Sequence, residues 1–421
     1  MVDVLDDLQW RGLLGQSTDE AALRSALAEP LTFYVGFDPT APSLHIGHLV
    51  QILVARRLQR AGHHPLLLVG GATGLIGDPK PTAERQLNDA EVVAGWVERL
   101  RGQIEPYVEL DGPNPARMVN NLDWTSQLSA LDLLRDVGRH FRVGRMLAKE
   151  AVAARMASAE GISYTEFSYQ VLQAMDYLEL HRRHGCTLQF GGSDQWGNVS
   201  AGVDLVHRVQ RTAVHGFTVP LLTKADGTKF GKTESGTVWV DPALTSPYAF
   251  HQFWLNVEDA SVDRYLRVLT DRSREDLEAL AGRTAERPGA REAQRTLARD
   301  VTALVHGAAA VDAAEAAAAA LFGRGDLEAL PEDVLGAALA ELPHAVVGEG
   351  ARTVVELLVA TGLCASRSAA RRAVADGGAY VNNTAVADGD AELADDQLLQ
   401  GRWALLRRGK RTLAAVDARP R

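Results

Sequence analysis

The sequence predicts an α/β fold: a doubly wound parallel sheet in about the first 245 residues, then an all-helical region and a small α+β region. Three observations support this prediction. Short apolar runs alternate with amphipathic stretches between about 30 and 220, turn-forming residues follow several of the runs, and the pattern is mainly helical after about 245. At 421 residues the chain also exceeds what one hydrophobic core usually organises.

Strand and helix candidates alternate in the first region. The expected strands are residues 31–37, 65–69, 117–120, 187–190 and 217–222, and the expected helices are residues 46–61, 130–137, 143–156, 165–181 and 196–209. Ligands of such sheets bind at the carboxyl ends of the strands. Turn-rich runs follow three strand candidates at those ends, at residues 36–40, 70–74 and 191–194.

The rest of the chain is expected to form two further regions. Residues 246–322 are predicted to be helical, and their alanine-rich end, 308–321, is interpreted as a helix of high intrinsic propensity. Residues 323–350 show no clear period and are predicted to link to a last domain, 351–421. The first predicted domain is then 1–245.

Composition and charge restrict the classes of protein. The N-terminus is acidic where a signal peptide is basic, and no apolar run is long enough for a membrane span, so no membrane partner is expected. Cys186 and Cys364 are far apart in sequence and suit a reducing compartment, which favours the cytoplasm. The net charge of −10 divides into +3 for residues 351–421 and −13 for the rest, so the tail can still bind nucleic acid.

Two histidines begin the first long helix candidate. His45 and His48 share a helical face, and Gly47 between them leaves the backbone open to a ligand. A helix N-terminus with two imidazoles is suited to bind polyphosphate and stabilise its developing charge. The alternatives are half of a metal site and incidental surface histidines, but no third ligand cluster is found in the sequence and no structural metal is predicted.

A lysine-rich segment predicts a second phosphate-binding element. The chain has only six lysines, and three of them lie between positions 224 and 232. Lys229 and Lys232 follow the turn signal Asp226-Gly227, and their ammonium groups suit a pyrophosphate leaving group. The alternative is a solvated hairpin tip, although lysines clustered in a chain that otherwise uses arginine favour a chemical role.

A polar stripe lies on the helix candidate 165–181. Tyr169, Gln173 and Asp176 follow the spacing i, i+4, i+7, so three hydrogen-bonding groups share one line of the helix. They are suited to hold an amino-acid substrate, but the pattern alone is more typical of a solvent-facing surface.

The histidine and lysine motifs together resemble the signatures of the class I aminoacyl-tRNA synthetases. His45-Ile46-Gly47-His48 matches the HIGH motif, and residues 229–233, Lys-Phe-Gly-Lys-Thr, resemble the KMSKS loop. Runs that begin at Tyr34, Gly70 and Gly191 are similar to the bacterial tyrosyl members of the family. The resemblance implies a Rossmann-type, HUP-like catalytic domain.

The resemblance also implies an activity and partners. L-tyrosine would be activated by ATP with Mg²⁺ to tyrosyl-adenylate and pyrophosphate, and tyrosine would then pass to the 3′-terminal adenosine of tRNA(Tyr). A homodimer formed through an insertion at about 125–160 is implied as well.

Individual roles in the catalytic domain follow from the same resemblance. The residues expected to bind tyrosine are Tyr34 and Asp176 at the phenolic hydroxyl, Asp78, Tyr169 and Gln173 at the α-amino group, and Gln195 at the carboxylate. The residues expected at ATP are Asp38, Thr40, His45, Gly47, His48, Gly192, Asp194, Leu222 and Lys232. The expected catalytic residues are His45, His48, Lys229, Lys232 and Thr233, with Lys80 and Arg85 as further candidates for pyrophosphate.

Basic residues in the tail are similar to those of the RNA-binding domain named for ribosomal protein S-four. Arg367, Arg371 and Arg372 lie on or beside one helical face, and Arg407 and Arg408 follow near the end. The resemblance implies contacts to tRNA, which we expect to be mainly to phosphates. A solvated basic helix is the alternative.

Three other functions remain open at this point. Tryptophanyl enzymes of the same class share both signatures, a dinucleotide oxidoreductase would use Gly71, Gly74 and Gly77, and an inactive RNA-binding protein would need neither motif. The glycine spacing is poor for dinucleotide binding, and the intact histidine and lysine motifs argue against an inactive protein.

Overall fold

The computed structural model describes residues 3–80, 87–223, 232–233, 236–347 and 353–418, with residues 150, 151, 232 and 233 described by their backbone alone. The chain forms two compact units, Met1–Asp241 with Asp263–Leu277, and Pro242–Val262 with Glu278–Arg421. None of the described helices combines the length and apolar character needed to cross a membrane.

Helices and strands alternate in the first unit. In chain order they are α1 (Val4–Arg11), α2 (Glu20–Ala26), β1 (Thr32–Phe37), α3 (Ile46–Arg60), β2 (His64–Val69), α4 (Ala90–Ile104), β3 (Arg117–Asn120), α5 (Leu122–Thr125), α6 (Ala130–Asp132), α7 (Val143–Leu147), α8 (Glu150–Met156), α9 (Tyr164–His184), β4 (Cys186–Gly192), α10 (Trp196–Gln210), β5 (His215–Val219), β6 (Lys232–Thr233) and β7 (Gly236–Thr237). A π-helical turn, Leu133–Val137, follows α6.

Strands β1 to β5 form one parallel sheet in the order β3-β2-β1-β4-β5. The order reverses between β1 and β4, which is the switch point where ligands of doubly wound sheets bind. The predicted doubly wound sheet is therefore confirmed. The last strand ends at Val219 rather than at residue 222, because Pro220 has no N–H to continue the ladder.

The predicted helices lie near their expected positions, but their lengths differ from the predicted ones. The stretch 143–156 is divided into α7 and α8, and 130–137 is partly a π-helical turn. Helix α9 runs to His184, where Gly185 adopts a left-handed conformation with φ of 65° and ends it.

The later elements are mainly helical and then mixed. They are α11 (Pro247–Leu255), α12 (Asp259–Leu269), α13 (Arg274–Glu286), α14 (Glu292–His306), α15 (Ala308–Leu321), α16 (Glu332–Ala340), β8 (His344–Val346), α17 (Val354–Ala360), α18 (Arg367–Ala375), β9 (Ala379–Val381), β10 (Thr384–Ala385), β11 (Trp403–Arg408) and β12 (Thr412–Asp417). The second sheet has the order β10-β9-β11-β12-β8. The predicted helical region and small α+β region are both present.

The stretch 323–350 differs from the linker that its lack of period predicted. It contains α16 and β8, and β8 pairs in parallel with β12. Leu335 and Leu339 of α16 are buried in one core with Ala317 of α15 and Trp403 of β11. A helix of nine residues is too short to show a clear period, so its apolar side is recognised only beside the sheet that covers it. The alanines of α15 therefore contribute to packing as well as to helix propensity.

Candidate active site

Helix α3 begins with a cap made of two histidines. Nδ1 of His45 accepts the backbone N–H of Gly47 at 3.0 Å, and Nδ1 of His48 accepts the backbone N–H of His45 at 3.2 Å. Such a reciprocal cap satisfies N–H groups that a helix start leaves unpaired. The local fold of the helix start therefore holds both imidazoles beside the sheet's switch point.

Gly47 is required by this cap. A Cβ at position 47 would lie 2.9 Å from Cε1 of His45. The sequence prediction explained the absent side chain by access for a ligand, whereas in the structure it makes room for the His45 ring.

The capping bonds also determine where the histidine protons lie. Because Nδ1 is an acceptor in both rings, each neutral ring carries its proton on Nε2. Burial, and next the neighbouring His45, hold the pKa of His48 well below its ordinary value. His48 is therefore a neutral N–H donor, which suits a phosphate oxygen.

Asp38, directly after β1, accepts two hydroxyl groups. Oγ1 of Thr73 donates to Oδ1 of Asp38 at 2.6 Å, and the hydroxyl of Tyr169 donates to Oδ2 at 2.6 Å. A Cβ on Gly70 would collide with Asp38 Oδ1 and Thr73 Oγ1. The ends of β1 and β2 and the helix α9 thus meet at one carboxylate.

Tyr34 of β1 and Asp176 of α9 are both buried. Asp176 is 1% exposed and accepts N–H groups from Asn121 at 3.0 Å and Trp124 at 2.9 Å. The Tyr34 hydroxyl is buried and has no hydrogen-bond partner among the described residues. Burial raises the pKa of Tyr34 well above its usual value, and the nearby Asp176 carboxylate raises it further. A buried hydroxyl in this state is unfavourable unless a ligand or a water molecule supplies a partner.

Asp176 titrates close to neutrality. Burial raises its pKa to about 7, while the hydrogen bonds from Asn121 and Trp124 oppose that rise. The polar stripe of α9 is therefore not a solvent-facing surface, because Tyr169 is 5% and Asp176 is 1% exposed.

A second carboxylate, Asp78, is held by two amides. Nε2 of Gln195 donates to Asp78 at 2.8 Å, and Nδ2 of Asn198 donates at 3.3 Å, while Lys149 donates to the Asn198 oxygen. Burial raises the pKa of Asp78, and the two amide bonds oppose it. Gln195 therefore contacts Asp78, although the resemblance assigned it to the substrate carboxylate.

Gln173 on α9 supplies another buried acceptor. Its Oε1 has no hydrogen-bond partner within the described part of the chain. An amide oxygen and a carboxylate are both suited to an ammonium group, which is the role expected for Gln173 and Asp78.

The other residues expected at ATP lie at the ends of β1, β4 and β5. The N–H of Thr40 donates to the Asp38 carbonyl at 2.8 Å, Gly192 ends β4, and Asp194 lies in the single turn that follows. Leu222 is buried shortly after β5. Lys80 is exposed after Asp78.

The residues predicted to bind pyrophosphate lie on two further segments of the chain. Lys229 and Arg85 lie outside the described residues, and Lys232 and Thr233 are described only as the backbone of β6, paired with β7. Further along the chain, Trp239 forms an antiparallel bridge with His45, and their ring centroids are 6.3 Å apart. The chain after the lysine segment thus returns to the histidine cap.

The five tail arginines lie on two elements. Arg367, Arg371 and Arg372 are exposed on α18, and the first two form ion pairs with Glu356 and Asp390 at 2.9 and 3.0 Å. On β11, Arg407 stacks over the Tyr380 ring at 3.8 Å, and Arg408 donates to the Leu363 carbonyl at 2.9 Å. Since Arg408 pairs with Ala379, the end of β11 lies near the end of α18.

Several residues of the site were not predicted from the sequence. Asn121 directly follows β3, so the rule that ligands meet the carboxyl ends of strands would have found it. Trp124, Lys149 and Trp239 carry no such signal, because their contacts join distant parts of the chain.

The histidine-capped helix at the switch point of a parallel sheet is the arrangement of a class I aminoacyl-tRNA synthetase. Comparisons with known proteins agree: residues 26–323 match the family described as tRNA synthetases class I (W and Y), and residues 335–416 match a tyrosine–tRNA ligase SYY-like C-terminal domain. The chain belongs to the tyrosine–tRNA ligases of this class.

Individual relatives support the same family. The chain is 64% identical to the tyrosine–tRNA ligase of Streptomyces coelicolor over 99% of both chains, and 63% identical to that of Streptomyces griseus over 100% of both. Among solved structures, a C-terminally truncated mitochondrial tyrosyl-tRNA synthetase of Coccidioides posadasii is 30% identical with a TM-score of 0.66, covering 75% of this chain and 91% of its own.

The tryptophanyl alternative is related by fold alone. A tryptophanyl-tRNA synthetase from Encephalitozoon cuniculi bound to tryptophan has a TM-score of 0.54 at 13% identity, covering 79% of this chain and 89% of its own. The choice between the two families, which the motifs had left open, is decided by the relatives at 63–64% identity, which are tyrosine–tRNA ligases.

Proposed function

We propose that this chain activates L-tyrosine with ATP and transfers it to the 3′-terminal adenosine of tRNA(Tyr), using the site around Tyr34, Asp176, His45 and His48. The observation that carries the proposal is the buried Tyr34 hydroxyl, which lacks a partner among the described residues and lies near Asp176. A phenolic hydroxyl is able to donate to the carboxylate and accept from Tyr34. Such a site rejects phenylalanine because its own polar groups would stay unpaired.

The α-amino group is proposed to bind at Asp78, Gln173 and Tyr169. The Asp78 carboxylate accepts a hydrogen bond from Gln195. Gln173, whose side-chain oxygen is buried, lies on the same face of α9 as Tyr169. Tyr169 donates to Asp38 in this structure, so it would contribute its oxygen as an acceptor. Gln195 would present its remaining N–H to the substrate carboxylate.

In the first step the tyrosine carboxylate attacks the α-phosphorus of ATP. A carboxylate–phosphorus bond forms, the α–β phosphoanhydride bond breaks, and pyrophosphate leaves with Mg²⁺, which enters as part of the nucleotide substrate. No protein nucleophile is needed, because positioning and charge stabilisation supply the rate. The Nε2–H groups of His45 and His48, with Lys229, Lys232 and Thr233, are the proposed donors to the departing phosphates. Lys80 and Arg85 are proposed as further pyrophosphate contacts.

In the second step a hydroxyl of the terminal adenosine attacks the tyrosyl carbonyl, and AMP leaves. The exposed arginines Arg367, Arg371 and Arg372 on α18, with Arg407 and Arg408 on β11, are proposed to contact tRNA phosphates. We also propose that these two steps and the binding of tRNA are divided among three domains. Their predicted boundaries are 1–245, 246–322 and 351–421, and the last domain is extended to include α16 and β8, because β8 pairs with β12.

We further propose a cytoplasmic homodimer. Large apolar side chains are exposed in the predicted insertion, among them Leu131, Leu134, Val143 and Met156. Apolar surface of this kind favours a protein interface. Sedimentation of the wild type as a dimer, and of Leu131→Glu/Leu134→Glu as a monomer, would support this assignment.

The proposed activity is tested by ATP–pyrophosphate exchange with each of the standard amino acids. Exchange that depends on tyrosine, followed by charging of tRNA(Tyr), is the expected result. Exchange stimulated by tryptophan instead would overturn the assignment of the pocket.

A further inference from the structure

Two consecutive residues of α12 hold the chain that precedes the lysine segment. The Tyr265 hydroxyl donates to the Thr223 carbonyl at 2.8 Å. Arg264 donates through Nη1 to Oγ1 of Thr223 and through Nη2 to the Leu221 carbonyl, both at 3.1 Å. Three hydrogen bonds from adjacent residues of one helix thus fix the stretch Leu221 to Thr223. Tyr265 is buried, which shields its bond from water.

This stretch lies at the proposed ATP site. Leu222 stands between the two anchored residues and is buried. A Cβ added to Gly192 would lie 3.3 Å from Cδ2 of Leu221 and 2.6 Å from Oδ1 of Asp194. The anchored backbone therefore borders the end of β4, where the nucleotide is proposed to bind.

The end of α12 is fixed in turn to the helix that carries the histidines. Arg57 of α3 donates to the Thr270 carbonyl at 2.6 Å. Asp271 forms ion pairs with Arg56 at 2.6 Å and with Arg60 at 2.9 Å. Hydrogen bonds that involve a guanidinium or a carboxylate are among the stronger ones in proteins. A connected set of contacts thus joins α3 to the chain at Leu221 to Thr223.

We infer that Arg264 and Tyr265 are positioning residues for tyrosine activation. They set the backbone at Leu221 to Thr223, which borders the proposed nucleotide site, relative to the histidine cap of α3. The inference rests on the proposed function. Attack on the α-phosphorus depends on a nucleotide that is held in place before the reaction, so looser anchoring of one border of its site lowers the rate of activation. Neither Arg264 nor Tyr265 contacts the residues that are proposed to bind tyrosine in the hydrogen bonds given above, so tyrosine binding is expected to change little.

The test compares Tyr265→Phe and Arg264→Met with the wild type in tyrosine-dependent ATP–pyrophosphate exchange. Losing the one hydrogen bond of Tyr265 is expected to lower kcat about tenfold, and losing the two of Arg264 at least as much, while KM for tyrosine changes by less than about twofold. Arg264→Lys, which keeps a charged donor, is expected to recover part of kcat. Tyr248→Phe, which removes the hydroxyl of a buried tyrosine in the second unit, is the matched control and should keep the wild-type kcat.

A double-mutant cycle separates positioning from general stability. Thr223→Val removes the Oγ1 that Arg264 contacts, so its effect on kcat should be less than additive with Arg264→Met. With kcat expressed per active site, an unchanged value together with a lower Tm would assign these residues a structural role and overturn the inference, as would strict additivity in the cycle. A wild type without tyrosine-dependent exchange would instead refute the proposed function.

Discussion

The imidazole rings of His45 and His48 stack with centroids 3.9 Å apart and an interplanar angle of 9°. Each ring accepts a backbone N–H at the start of α3, so the cap of the helix and the proposed phosphate donors are the same two side chains. Catalysis and local folding are therefore coupled at this point.

Replacing His48 with alanine should lower kcat of pyrophosphate exchange by about a hundredfold, because one donor to the departing phosphates is removed. KM for tyrosine should change little, since His48 is not among the residues that are proposed to contact tyrosine. Steady-state exchange kinetics check this. His207→Ala, on the exposed side of α10, is the control, and an equal reduction there would contradict a specific role for His48.

Gly47→Ala should damage both stability and activity. The added Cβ would lie 2.9 Å from Cε1 of His45 and force the ring out of its cap. We expect a lower Tm and a lower kcat, measured by thermal unfolding and by exchange. Gly95→Ala in α4 meets nothing within 4 Å and should be neutral or stabilising by up to about 1 kcal/mol. Wild-type behaviour of Gly47→Ala would refute the cap's requirement for glycine.

Tyr34→Phe should reduce discrimination against phenylalanine. The variant lacks one of the two groups proposed at the substrate hydroxyl, so kcat/KM for tyrosine should fall about tenfold while that for phenylalanine does not. Exchange assays with both amino acids measure the ratio. Tyr107→Phe, at a buried tyrosine elsewhere in the first unit, is the control. An unchanged ratio in Tyr34→Phe would remove Tyr34 from substrate selection.

The raised pKa of Asp176 predicts a specific pH dependence of stability without tyrosine. The pKa of Asp176 is 3.8 in the reference state and about 7 when folded. Between these two pH values the folded protein therefore binds a proton that the unfolded protein does not. This contribution to stability is fully present below about pH 4 and disappears as pH rises towards 7. Asp176→Asn should not show this decline, so denaturant unfolding of the two proteins should diverge across that range. Parallel pH profiles would mean that Asp176 is ionised throughout.

The tail arginines should affect tRNA and not activation. Replacing Arg371 and Arg372 with glutamine is expected to raise KM for tRNA. The slope of the logarithm of the binding constant against the logarithm of the salt concentration should become shallower by about 0.7–0.9 for each tRNA phosphate that is no longer neutralised. Tyrosine-dependent exchange should keep its wild-type rate. Arg287→Gln, exposed in the second unit, is the control, and an unaltered salt slope in the tail variant would favour a merely solvated helix.

The five strands and the helices α3, α9 and α10 of the first unit could be predicted from the sequence because they depend on local signals, whereas α1, α2 and α4 were not predicted. Apolar runs identified β1 to β5, and the spacing of His45 and His48 placed them on one helix start. Helix α16 and strand β8 escaped because nine and three residues are too few for a recognisable period. The residues around Asp176 escaped because Trp124 lies 52 positions away and no local pattern connects the two.

By itself the sequence determined the class of fold, the two signature motifs and the family, since each depends on residues that are near one another in the chain. Tertiary structure alone decided that the stripe of α9 is buried, that Gly47 serves the His45 ring, and that Arg264 and Tyr265 hold the chain at Thr223. Tyr169 and Asp38 are separated by 131 positions and still share a hydrogen bond. Contacts of that kind follow from how the helices pack on the sheet, and packing depends on the whole chain at once.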